Sequence, residues 1–147
     1  MTYFTELFDN KIFVVAFVAW FMAQLIKVVL TLLVTKKFDL NRFVGSGGMP
    51  SSHTSFVMGL STAIGLEYGW NSNIYAFALT FALIVMYDAS GVRRSVGKQA
   101  TILNTIIEDL YKHKHVGESK LKELVGHTPF EVIVGAVLGI FIANMMI

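Results

Sequence analysis

The run GGMPSSHTSFVMGLSTAIGL, Gly47 to Leu66, begins as a polar turn and becomes almost wholly apolar after Ser55. Gly47, Gly48 and Pro50 are turn formers, and Ser51 and Ser52 are both good helix N-caps. The apolar remainder then reads as a buried helix entered from a polar loop. His53 falls in the first turn, where unpaired backbone N–H groups and the positive end of the helix dipole bind anions. An N-cap with an incidental histidine would account for the same letters, so the rest of the chain has to decide.

Composition decides the solvent. Of the 147 residues, 54% are hydrophobic and 15% charged, against about a quarter charged in ordinary soluble domains. A chain this short cannot bury so much apolar surface inside its own globule. The expectation is an all-α, polytopic membrane bundle forming a single domain over residues 1–147. There are no cysteines, which excludes disulfides, thiolate nucleophiles and sulfur-ligated metals. Acidic residues precede the first apolar run, which is too long for a cleavable signal peptide.

A span needs roughly 20 mostly apolar residues. Four stretches qualify: Ile12 to about Thr35, Ser52 to about Trp70, Asn73 to about Asp88, and Pro129 to Ile147. The third is short enough to continue beyond the bilayer. A polar insert, 90–128, separates it from the fourth. Within the insert Ala100, Leu103, Ile106, Ile107 and Leu110 recur at helical spacing, predicting an amphipathic helix over Val96 to Tyr111. A second short helix is expected on SKLKELVG, ending at Gly126. His113 and His115, set among lysines, read as solvated loop residues.

Lysine and arginine mark cytoplasmic loops. Lys36, Lys37 and Arg42 follow the first span, and seven more basic residues from Arg93 to Lys122 lie in the insert. The loop between the second and third spans has none. Both basic loops are therefore expected in the cytoplasm, with both termini outside.

The unusual polar residues gather on that same side, in GGMPSSH, in YDASGVRR (Tyr87 to Arg94) and in GHTPFEV (Gly126 to Val132). Gln24 and Lys27 join them from the first span, one helical turn apart, where polar groups usually face a bundle interior. Arg93 and Arg94 suit phosphate oxygens. Adjacent helical residues diverge by about 100°, so one is expected on phosphate and the other on Asp88. His127 and Glu131 stand four apart, a spacing that would let the carboxylate hold the imidazole on one helical face. Thr128-Pro129-Phe130-Glu131 also reads as a capping box with proline at N1.

Taken together, these motifs resemble the divergent branch of the type 2 phosphatidic acid phosphatase (PAP2) family, and the likeness covers most of the chain from Gly47 onward. The resemblance implies a phosphatase that works without a metal or other cofactor. His127 would be the nucleophile that becomes phosphorylated, His53 the general acid and Glu131 the orienting carboxylate. Lys27 or Arg42, with Ser51, Ser52, Arg93 and Arg94, would hold phosphate, supported by Gln24 and Asp88.

Three departures stand out. Ser52 replaces the family's glycine, Glu131 its aspartate, and Leu121 the arginine six residues before the nucleophile. Four spans, against six in most membrane members, raise the expectation of a homodimer that closes the site. The expected substrate is an inner-leaflet lipid phosphate monoester such as phosphatidylglycerol phosphate or phosphatidic acid, with no nucleic-acid partner. A head-group binding or transport protein without turnover is the rival reading; a plain structural subunit would leave the three polar clusters unexplained.

Overall fold

A computed structural model describes residues 2–36, 48–111 and 126–147, the side chains at 2–4, 35, 93, 94 and 108–111 excepted. Among the described residues six helices follow one another: α1 (Thr2–Asp9), α2 (Lys11–Thr35), α3 (Ser52–Tyr68), α4 (Asn73–Ser90), α5 (Val92–Tyr111) and α6 (Pro129–Met146). No strand occurs among the described residues. The chain is an all-α membrane bundle, and among the described residues three stretches are long and apolar enough to cross a bilayer: Lys11–Val34, Asn73–Ile107 and Pro129–Met146.

Local signals set the ends. Asn10 caps α2 by accepting from the Phe13 N–H (3.1 Å), and Lys36 closes it in the left-handed conformation, φ 54°. Ser72 caps α4 through the Tyr75 N–H. At Gly91 the chain passes from α4 directly into α5, since the Gly91 N–H still donates to the Tyr87 carbonyl and Ser95 to Gly91. The third apolar run thus does continue, as a helix that begins at Val92 rather than Val96. Of its expected apolar face, Ala100 is buried but Leu103 and Ile106 are exposed; Gly97 and Asn104 are buried instead. The helix expected on SKLKELVG, and His113 and His115, lie outside the described residues.

The expected second span is the helix around which the others assemble. α3 is only 17 residues long and packs against α2, α4 and α6. Its buried positions are mostly small or hydroxylated: Ser52, Ser55, Gly59, Ser61, Ala63 and Gly65 among them. Small residues let helices approach where lipid offers no hydrophobic drive for association. A Cβ on Gly139 of α6 would overlap the Ser55 carbonyl and come within 2.7 Å of the Gly59 nitrogen. On the other side a Cβ on Gly59 would meet that of Ala19 at 3.0 Å. The Ser55 hydroxyl donates to the Ala19 carbonyl (3.0 Å), tying α3 to α2.

Helix directions follow from these contacts. Val15, Ala63 and Ala143 form a buried cluster with Ile12, Leu66 and Met146 against it. The start of α2 therefore meets the ends of α3 and α6, so α3 and α6 run parallel and α2 opposes both. Trp70, T-stacked on Tyr75 (5.0 Å) and folded over Gly65, closes the same end. The opposite end holds the N-termini of α3 and α6 and the C-terminus of α4. Large apolar side chains such as Phe17, Phe21, Phe77, Phe81, Val137 and Phe141 point outward, the arrangement a hydrocarbon solvent favours.

Candidate active site

Of the polar residues singled out in the sequence, Ser51, Ser52, His53, Asp88, His127 and Glu131 lie at that second end. Ser51 is the N-cap of α3: its Oγ accepts from the Thr54 N–H (3.4 Å) and from the Thr54 hydroxyl (3.0 Å). Ser52 is the first helical residue, and both serines are buried. The Ser51 N–H donates to the Glu131 carbonyl (3.1 Å), which stitches the start of α3 to the first turn of α6. Gly135 makes that closeness possible, because a Cβ there would fall 2.5 Å from the Ser51 carbonyl oxygen. Two helix N-termini thus open side by side, and their partial positive charges add.

His127 sits one residue before the N-cap of α6, not on the helix itself. It is nonetheless held firmly: 3% exposed, with its N–H donating to the Ala89 carbonyl (3.0 Å) at the end of α4. Its Nδ1 lies 3.3 Å from Glu131 Oε2. The same carboxylate oxygen accepts the Thr128 N–H (2.8 Å), and Thr128 Oγ1 accepts the Glu131 N–H (3.3 Å). The capping box and the histidine–carboxylate contact are therefore one structure, and the cap aims the carboxylate at the ring. The i,i+4 contact arises from the cap and not from two residues sharing a helical face. A carboxylate accepts only, so the hydrogen of this contact belongs to Nδ1; in the neutral ring that tautomer carries its lone pair on Nε2.

Lys27 is also 3% exposed, and its Nζ donates to Gln24 Oε1 (2.9 Å), itself buried. Gly48, with φ +85°, lies over the aliphatic stem of Lys27. An L side chain would be strained at that φ. The ammonium is thereby packed beneath the turn that leads through Met49 and Pro50 to Ser51. His53 is exposed on the first turn of α3, whereas its neighbours Ser52, Thr54 and Ser55 are buried. Asp88 is half-buried, next to Ala89. Arg93 and Arg94 belong to the first turn of α5; their side chains, and all of Arg42, lie outside the description. Among the described residues no three His, Asp or Glu side chains are grouped to share a metal ion.

The close-approach residues Gly135, Gly139 and Gly59 escaped the sequence reading. The G-x-x-x-G spacing of GAVLG, Gly135 to Gly139, is the signal that could have found the first two.

The three polar turns thus meet through two backbone hydrogen bonds, Ser51 to Glu131 and His127 to Ala89. A family profile described as divergent PAP2 matches residues 8–142, nearly the whole chain. The chain belongs to the divergent PAP2 family. This divergent PAP2 protein is also 38% identical, over 152 aligned positions covering 96% of both chains, to the uncharacterized membrane protein YuiD of Bacillus subtilis (strain 168). No solved structure matches it. It is a multi-pass membrane protein, and its family likeness is to PAP2 proteins; activity and substrate are a matter for the geometry.

Proposed function

We propose that this divergent PAP2 protein hydrolyses a lipid phosphate monoester through a phosphohistidine on His127. The observation that carries the reading is the His127–Glu131 couple, in which a buried imidazole turns Nδ1 to a partly buried carboxylate at the start of α6. In the first step Nε2 attacks phosphorus and the bond from phosphorus to the lipid oxygen breaks. His53, protonated, gives its proton to the departing alkoxide. In the second, His53 takes a proton from water, whose oxygen displaces Nε2 and leaves inorganic phosphate. Glu131 stabilises the positive charge that grows on the imidazole as the N–P bond forms.

Electrostatics supports the anion site. A buried ammonium in a membrane bundle is costly and usually functional, and the N-terminus of α3 adds the positive end of its helix dipole. Lys27, Ser51 and Ser52, with one of Arg93 and Arg94 or Arg42, hold the phosphate; Gln24 and Asp88 orient the cations. The basic loops support a cytoplasmic position for this end, and with it an inner-leaflet substrate of the phosphatidylglycerol phosphate or phosphatidic acid type. A homodimer would supply further helices around the site in a chain with four expected spans.

The test is phosphate release by purified protein in detergent, without added metal, across a panel of phospholipid phosphates. Parent protein is expected to release phosphate, and His127→Ala and His53→Ala to abolish it. One observation favours a second reading, a head-group binding protein: Leu121 stands where the wider family carries arginine. Tight vanadate binding without release from any lipid would select it.

A further inference from the structure

Beside the polar end runs a groove of about 310 Å³ whose walls are entirely apolar. Ile26 and Leu30 of α2 form one side, Val134, Val137, Leu138 and Phe141 of α6 the other, and Met49 and Pro50 cross the top. Each wall is continuous with a polar element already described. Ile26 and Leu30 flank Lys27 in sequence. Pro50 is the residue before the Ser51 cap, and Val134 is the residue before Gly135, on which Ser51 rests. The turn Gly48–Ser51 therefore divides two compartments, with the buried ammonium under Gly48 and the apolar groove under Met49 and Pro50. From Val134 the groove follows α6 for two turns, to Phe141, away from the polar end and towards the middle of the span. Val137 and Phe141 are well over half exposed, so the groove opens to the bilayer along its length.

We infer that this groove seats one hydrocarbon chain of the phosphate-bearing lipid; the inference rests on the lipid phosphate reading above. Continuity with the anion site selects the occupant, since a chain lying along α6 places its head group at the Ser51 turn. Size limits it to a single chain: sites for whole drug-sized ligands run from about 300 to 1,000 Å³, and this one is at the lower limit. In a bilayer the groove gains little free energy from burying methylenes, because the chain leaves one apolar medium for another. Its contribution is orientation. The first chain is held against α6, and the phosphate is thereby brought to the cradle from the membrane side.

The test is photolabelling that needs no turnover. Protein in phosphatidylcholine nanodiscs is irradiated with phosphatidic acid bearing a diazirine near the middle of one acyl chain, and the labelled peptides are mapped. Label concentrated on the α2 segment around Ile26–Leu30 and the α6 segment Val134–Phe141, and removed by excess unlabelled phosphatidic acid, is expected. Val137→Trp should lower that labelling about tenfold, while Phe81→Trp on the lipid face of α4 leaves it alone. Label spread equally over α4, or insensitive to competitor, overturns the groove. Competed groove labelling in a protein that releases no phosphate from any lipid keeps the groove and removes the hydrolase.

Discussion

The backbone N–H of Ser51 donates to the carbonyl of Glu131, 3.1 Å away, and so joins the cap of one helix to the first turn of another. That single bond couples the Gly48–Ser51 turn to the residue whose carboxylate contacts His127. A movement of α3 against α6 would disturb both at once, which is why the packing beneath them matters to the chemistry.

The Glu131 carboxylate has two duties that one substitution separates. Glutamine also completes a capping box, so Glu131→Gln should melt within a few degrees of the parent. It removes the charge opposite the imidazole, and phosphate release should fall at least about a hundredfold, the scale on which general acid–base partners act. Thermal unfolding in detergent beside a release assay checks it. Equal loss of stability and activity would make Glu131 a cap and nothing more.

Lys27 should matter more to ligand than to fold. Its Nζ donates to the amide oxygen of Gln24, and an amide left unpaired by Lys27→Met costs only about 1–3 kcal/mol. Vanadate affinity, measured by calorimetry, is expected to fall at least about tenfold, with a small change in Tm. Unchanged affinity would remove Lys27 from the phosphate site.

Gly139→Ala tests the crossing of α3 and α6. Alanine gains about 1 kcal/mol of helix propensity, but its Cβ would collide with backbone at Ser55 and Gly59, which cannot rotate aside. Overpacking of this kind costs about 1–3 kcal/mol, so the variant should unfold earlier in denaturant. Gly59→Ala, whose one tight contact is the Ala19 methyl at 3.0 Å, with the Gly139 carbonyl and Ala16 at ordinary distance, should be the milder of the two. The reverse order would mean that the helices separate more easily than these contacts imply.

Orientation in the membrane is checked by a single cysteine in a chain that has none of its own. Ser46→Cys, in the connection between α2 and α3, should react with impermeant maleimide only after the cytoplasmic face is opened. Reaction from the outside of intact cells would reverse the topology.

Much of this arrangement was legible from local signals. Asn10, Ser51, Ser72 and Thr128 act on donors within three residues of themselves, so the starts of α2, α3, α4 and α6 follow from short stretches of sequence. The resemblance carried by GGMPSSH, DASGVRR and GHTPFEV pointed to the family. What stayed hidden depends on a partner distant in the chain. Nothing around Gly135 says that Ser51 will rest on it. Nothing in an i,i+4 spacing says that His127 stands outside the helix and reaches Glu131 through a cap. The central place of α3 was disguised for a related reason: surrounded by protein, it needs small residues more than apolar ones.

The most direct test of the account is to trap the intermediate. Protein mixed with a ³²P-labelled lipid phosphate monoester and quenched rapidly in alkali should carry label that acid removes and alkali does not, on the peptide containing His127, and His127→Ala should carry none. Phosphate release by His127→Ala at the parent rate would contradict the account at its centre.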